Sequence, residues 1–189
     1  GIFMANGCEE IEGLTVVDIL RRAELEIEMI SIQSTTSIKG SHGITFLADA
    51  LYEDVNFDAL DAIVLPGGMP GTLHLGRHAG VMSVIQKFAE ENKLIAAICA
   101  APSIPGAAGI LSGRRAVCHP GFEEKLKGAI VSEDAVMTDG NFITSRGMGT
   151  AIDFALAIVR YFKDDAAVCD LKQKLVYQQE PAWKSNANI

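Results

Sequence analysis

Cys99 ends an apolar run, Leu94-Ile95-Ala96-Ala97-Ile98, and is followed by Ala100-Ala101-Pro102. The run has the length and composition of a buried strand, and Pro102 suits the first turn of a helix, where its missing N–H is not needed. A thiol on such a strand-to-helix elbow stands at the carboxyl edge of a sheet, facing a helix N-terminus that favours a thiolate. That is the setting of a sulfur nucleophile. The competing reading is a core cysteine, the usual fate of a thiol that ends an apolar strand.

Gly67-Gly68 follows a second apolar run, Asp61 to Leu65. A glycine pair there serves a turn that needs positive φ, or brings bare backbone N–H groups to a substrate oxygen as an oxyanion hole. His119 follows the short strand Arg114 to Cys118 and reads either as a structural polar residue or as a proton-transfer group. His74 and His78 are expected to be solvated, and Cys118 to be buried on the face opposite His119 by strand alternation. Cys8 and Cys169 have no activating neighbour in sequence. Glu9, Glu10 and Glu12 crowd the first turn of a helix that ends in Arg21 and Arg22, the charge order a helix dipole prefers.

The elements that must position these groups alternate along the chain. Strands are expected at Gly1–Ala5, Glu26–Ile32, Asp61–Leu65, Leu94–Ile98 and Phe142–Ser145, with shorter ones at Ile44–Ala48, Arg114–Cys118, Ala129–Ser132 and Val136–Thr138. Helices are expected at Glu9–Ala23, with Ile11, Leu14 and Leu20 on its apolar side, at His78–Glu91, at Pro102–Leu111, from Ala151 on a stripe through Phe162, and at Asp165–Tyr177. Ser34 to Gly43 reads as a polar connection. The order predicts an α/β three-layer sandwich with a mostly parallel sheet, whose ligands bind at the carboxyl ends of the strands. Asn6-Gly7-Cys8, Pro66-Gly67-Gly68, Cys99 and Ser145-Arg146-Gly147 all fall at such ends. One domain is expected over residues 1–178, then a polar tail over 179–189 that contains Trp183.

The net charge of −8 argues against nucleic acid or an anionic membrane as a partner, since nothing would neutralise phosphates. No apolar run reaches membrane-spanning length, and Gly1 to Ala5 shows no signal-peptide pattern. The four cysteines, none in CxxC spacing, point to reduced thiols and a cytoplasmic setting rather than a disulfide framework or structural zinc. GxGxxG and GxxxxGK[ST] are both absent, which disfavours dinucleotide and nucleoside-triphosphate sites.

Five motifs in this order resemble the DJ-1/ThiJ/PfpI superfamily, its DJ-1/ThiJ branch in particular. They are Gly7-Cys8-Glu9-Glu10-Ile11-Glu12, Val17-Asp18-Ile19-Leu20-Arg21-Arg22-Ala23, Val64-Leu65-Pro66-Gly67-Gly68, Ala96-Ala97-Ile98-Cys99-Ala100-Ala101-Pro102 and Thr144-Ser145-Arg146-Gly147. The resemblance covers about residues 1 to 177. It implies a flavodoxin-like sandwich, a homodimer, Cys99 as nucleophile, Glu12 as the carboxylic acid against its sulfur, His119 as the nearby histidine, and Gly67, Gly68 and Ala100 at the oxyanion and substrate site. It implies no cofactor and no metal. The implied activity converts methylglyoxal or glyoxal to hydroxy acids, or removes such adducts from glycated proteins, so the partner is a small carbonyl substrate or a glycated protein. Redox-sensor, chaperone and cysteine-peptidase roles also occur in the family. The lack of an evident acid to orient His119 weighs against the peptidase. Two departures stand out: Gly147-Met148-Gly149 replaces the family's usual Gly-Pro-Gly, and His42 replaces an arginine that lines the pocket across the dimer in some members.

Overall fold

The computed structural model describes residues 1–177, so the expected tail and Trp183 lie outside the described residues. A seven-stranded sheet forms the middle layer. In chain order the strands are β1 (Ile2–Met4), β2 (Met29–Ser31), β3 (Ser37–Lys39), β4 (Thr45–Leu47), β5 (Ala50–Leu51), β6 (Ala62–Leu65), β7 (Leu94–Ile98), β8 (Arg115–Ala116), β9 (Ile130–Val131), β10 (Val136–Asp139) and β11 (Phe142–Ser145). The sheet order is β10-β11-β7-β6-β1-β2-β5. Every neighbour pair is parallel except β10 with β11, joined by the turn at Gly140. The helices are α1 (Glu10–Arg22), α2 (Gly71–Arg77), α3 (Ala79–Glu90), α4 (Ser103–Ala107), α5 (Ala151–Phe162) and α6 (Asp165–Lys174).

Both faces of the sheet are covered, so its central strands are apolar throughout. Leu94, Ala96 and Ile98 of β7 join Val16, Leu20, Phe154 and Ile158 in one core, beneath α1 and α5. Ile95 and Ala97 point the other way, into a core with Leu75, Val81, Ile85 and Phe88 from α2 and α3. Each fully buried Leu, Ile or Phe contributes roughly 1.5–3 kcal/mol. With α1, α5 and α6 on one face and α2, α3 and α4 on the other, the expected three-layer sandwich is the observed one.

Several elements differ from expectation for local reasons. The elbow helix is only Ser103–Ala107, because Gly106 and the positive-φ Gly109 break what would be its second turn. Gly71–Arg77 is a helix of its own. Its Gly71 and Gly76 hide the helical signal, and Leu75 buries it. The connection over 34–43 holds β3, which pairs antiparallel with β4. Strand β2 is shorter than Glu26–Ile32, since only Met29 to Ser31 find partners on β1. The buried side of α1 is Gly13, Val16, Val17 and Leu20, while Ile11 is exposed. His78 is not simply solvated: its Nδ1 accepts from Val81 N–H at 3.1 Å and caps α3.

The three glutamates of α1 also separate. Glu9 is the N-cap and accepts from Glu12 N–H at 2.7 Å. Glu10 is 1% exposed. Its Oε1 accepts from the N–H groups of His42 (2.8 Å) and Ile44 (3.2 Å), and its Oε2 lies 3.2 Å from His42 Nδ1. Burial would raise this carboxyl, but the donors outweigh it and hold it below the usual carboxylate range. Glu10 therefore clamps the β3–β4 hairpin to α1 and is more than a complement to the helix dipole. Glu10→Ala strands the two amides, at about 1–3 kcal/mol for each that stays dry. A urea melt should show that loss, with faster hydrogen exchange at Ile44. A loss below about 0.5 kcal/mol would mean that the clamp adds no more than dipole complementation.

Candidate active site

Strands β11, β7, β6 and β1 are consecutive neighbours in the sheet, so their carboxyl-end loops form one continuous lip with Cys99 near its middle. Cys99 adopts φ +64°, a left-handed conformation that costs a non-glycine residue energy and persists only when its surroundings enforce it. They do. Cys99 N–H donates to Ser145 O at 2.9 Å, and Cys99 O accepts from His119 N–H at 2.8 Å. The thiol is thereby turned out of the strand and left half-buried.

Glu12 comes from the first turn of α1 and is 1% exposed. Its Oε2 accepts from Gly67 N–H at 2.9 Å. A Cβ on Gly67 would sit 2.6 Å from Cys99 Cβ, 2.7 Å from Glu12 Oε2 and 3.1 Å from Cys99 Sγ, so only glycine lets the acid and the thiol meet. Gly68 has φ +87°, and a Cβ there would lie 2.2 Å from Glu9 N. The N–H groups of Gly68 and Ala100 face the Cys99 sulfur. Each belongs to a peptide whose carbonyl is held from outside. Gly67 O accepts from Glu9 N–H at 2.9 Å, and Cys99 O accepts from His119 N–H. Because N–H and C=O point opposite ways across a trans peptide, these bonds aim the two amides at the sulfur.

Burial, partly offset by the Cys99 and Gly67 hydrogen bonds, pushes the Glu12 carboxyl up to about 7. Burial, the Glu12 charge and the Glu12 hydrogen bond push the Cys99 thiol up to about 12, against the Ala100 and Gly68 amides. This corrects the expectation that a helix N-terminus depresses the thiol. Helix α4 begins four residues beyond Cys99 and spans five residues, too little to outweigh desolvation. The acid and the thiol are instead a coupled pair. Their one-proton state holds the proton on sulfur or on carboxyl, and thiolate with carboxylic acid is one of its two forms.

The structure brings together Cys99, Glu12, Gly67, Gly68 and Ala100. The Gly67 amide is occupied by Glu12, which leaves Gly68 and Ala100 as the donors toward the sulfur. His119 joins through its backbone, and its exposed side chain lies beside Gly147. Its Nδ1 is 2.9 Å from Pro120 O and so donates to that carbonyl. Among the described residues no carboxylate orients it. Cys118 is 3% exposed, and burial raises its thiol to about 11; Cys8 is fully buried with its thiol raised likewise.

The Gly147-Met148-Gly149 loop lacks the proline but is held another way. Thr150 Oγ1 donates to Gly147 O at 2.8 Å and lies 2.6 Å from Ser145 Oγ, which in turn donates to Ala135 O at 2.8 Å. Sequence reasoning passed over Ser145 and Thr150 as supports. The available signal was a hydroxyl on each side of a Gly-x-Gly at a strand-to-helix joint.

A family model described as the DJ-1/PfpI family matches residues 1–161. Protein DJ-1 homolog B of Arabidopsis thaliana is 33% identical over 94% of this chain, which spans 41% of that longer relative. A deglycase of Pyrococcus abyssi is 33% identical over 86% of this chain and 98% of its own, and a glutathione-independent glyoxalase of Caenorhabditis elegans 34% over 80% and 81%. The structure of oxidised DJ-1 from Toxoplasma gondii superposes with a TM-score of 0.89 at 32% identity, covering 93% of this chain and 96% of that one. With its parallel sandwich, its elbow cysteine and a family match over most of its length, this chain belongs to the DJ-1/PfpI family.

Proposed function

We propose that this protein is a cofactor-independent enzyme in which Cys99 converts 2-oxoaldehydes to 2-hydroxy acids or removes the same adducts from glycated proteins. The observation that carries this reading is a buried carboxyl, raised to about 7, that shares a proton with a thiol flanked by two backbone amides. The deglycase and glyoxalase relatives support it.

The steps balance without an external oxidant. The Cys99 thiolate adds to the aldehyde carbon, and the Gly68 and Ala100 amides hold the developing oxyanion. Glu12 protonates that oxygen, giving a hemithioacetal. Its carboxylate then takes the proton from the former aldehyde carbon and returns one to the neighbouring carbon through an enediol. The first carbon is oxidised to a thioester while the second is reduced to an alcohol. Water cleaves the thioester to the hydroxy acid and regenerates the thiol. His119 assists at the water step.

Exposed Ile11, Ile44, Leu47, Met148 and Ile152 lie on α1, the β3–β4 hairpin, the turn before α5 and the first turn of α5, elements that surround the site. They suit a homodimer formed at the mouth of the pocket. The four unpaired cysteines fit a reducing compartment such as the cytoplasm. Among the described residues no helix is long and apolar enough to cross a membrane.

A second reading, a redox sensor, is favoured by the same two amides and by Glu12, which are placed to donate to the oxygens of an oxidised Cys99. Turnover decides between the two. Cys99→Ser and Glu12→Leu should each keep the fold by circular dichroism and lower methylglyoxal turnover by roughly 10²–10⁴-fold. Full activity in Cys99→Ser would end the role of Cys99 as nucleophile; a wild type without turnover would end the enzyme reading, and oxidation mapping of that wild type by mass spectrometry should then find Cys99 sulfinate ahead of any other cysteine product.

The acid also sets pH dependence. The doubly protonated pair is inactive, so kcat/KM should rise with pH through about 7 and stay level above it, and Glu12→Gln should abolish that inflection. Stability should run the opposite way. A carboxyl raised by folding contributes fully below its unfolded value and loses that contribution as pH rises through about 7. Melting temperatures of wild type should therefore fall between about pH 4.5 and 7, relative to Glu12→Leu.

Ile44→Asp or Leu47→Asp should turn a dimer mass in solution scattering into a monomer mass. A monomer in wild type at micromolar concentration would refute the dimer.

A further inference from the structure

We infer that Thr72 and Ser103 are positioning residues whose hydroxyls lock the two amides facing Cys99, so that the reactivity of the sulfur depends on both. This rests on the reading of Gly68 and Ala100 as the donors around the reacting sulfur.

Thr72 lies in the first turn of α2. Its Oγ1 donates to Gly68 O at 2.9 Å, and its backbone N–H donates to the same oxygen at 2.9 Å. Ser103 opens α4 and repeats the pattern on the neighbouring strand's loop. Its Oγ donates to Ala100 O at 2.6 Å, and its N–H donates there at 3.1 Å. Both side chains are buried. Each hydroxyl thus grips the carbonyl of the very residue whose N–H faces the thiol.

The geometry gives these bonds a purpose. The peptide carrying each site N–H is held on one side by Glu9 N–H or His119 N–H. The hydroxyl fixes the next peptide along. Held at both ends, Gly68 and Ala100 have little freedom to swing their N–H groups away. Gly68 needs this most, since glycine at φ +87° has no side chain to restrict it. Back-bonding of Ser or Thr to a carbonyl one turn earlier is a common local habit and taken singly means little. Here it occurs on two separate helices and falls on both donors of one site. Neither helix uses a side chain to cap its first N–H groups, so the hydroxyls serve the carbonyls instead.

Thr72→Val and Ser103→Ala remove the donors and leave each carbonyl its backbone N–H. Thr72→Ser and Ser103→Thr keep the hydroxyls. The readouts are the pH profile of Cys99 alkylation by iodoacetamide, followed peptide by peptide, and methylglyoxal kinetics. We expect alkylation of Cys99 at neutral pH to fall roughly tenfold in Thr72→Val and in Ser103→Ala, about the effect of one lost hydrogen bond. The profile should move to higher pH, kcat should fall with KM unchanged, and the hydroxyl-retaining variants should recover both. Folded Thr72→Val and Ser103→Ala with lower melting temperatures but the wild-type alkylation profile would overturn the inference. Each residue tests the claim on its own loop, so one variant lost to misfolding leaves the other decisive. Wild type without turnover would refute the proposed activity while the alkylation profile still decides the positioning role.

Discussion

A carboxyl group buried against a thiol is the constraint on which the rest of this structure depends. Glu12 is removed from water, and neither it nor Cys99 ionises freely in the other's presence. Putting two acids in one pocket costs stability, and the fold meets that cost with backbone donors. Gly67 N–H takes one carboxylate oxygen, and two further amides face the sulfur. Each donor comes from a loop at the carboxyl edge of the sheet, beyond the last residue of its strand.

The pocket is therefore assembled mostly from backbone, and most of the polar side chains near it serve to hold backbone in place. Glu9 caps α1 and, through its N–H, orients the Gly67–Gly68 peptide. Glu10 ties the β3–β4 hairpin down beside the site. Thr150 and Ser145 replace a missing proline in the loop above Cys99. Dense anchoring explains how Cys99 keeps a left-handed backbone, since its N–H and C=O are both committed to neighbours outside its own turn. The same anchoring limits how far the pocket can deform, which suits a site whose donors must stay aimed at one sulfur atom.

Much of the fold and part of the site were legible in the sequence. An apolar run with turn residues beyond it located β7 to the residue, because a strand covered on both faces is largely apolar, and the Asp139-Gly140-Asn141 turn located the start of β11. Helical stripes located α3 and α5, and the order of elements implied the parallel sandwich. The special residues were visible as a set because each ended a strand. The short strands β4, β8, β9 and β10 were legible too, but three other short features were not. The helix α2 and the end of α4 depend on glycines whose effect is set by what packs against them, and β3 exists only because β4 pairs with it.

Residue type and order by themselves determined the sandwich, the elbow and the gathering of Cys99, Gly67, Gly68 and Ser145 at one edge, since periodicity and turn chemistry act over a few residues. The resemblance of five short motifs to a known family singled out Glu12 among three adjacent glutamates. Only the tertiary structure showed how those three divide their work. Burial, and the donors within reach, make Glu9 a cap, Glu10 a clamp and Glu12 a proton partner, although all three sit in one helical turn. It likewise showed that Cys99 is half-buried beside Glu12, and that burial and the Glu12 charge push its thiol up. Local sequence specifies which groups a segment carries. The dielectric and the partners that set their chemistry come from distant segments, as with Glu12 and Gly67, 55 positions apart.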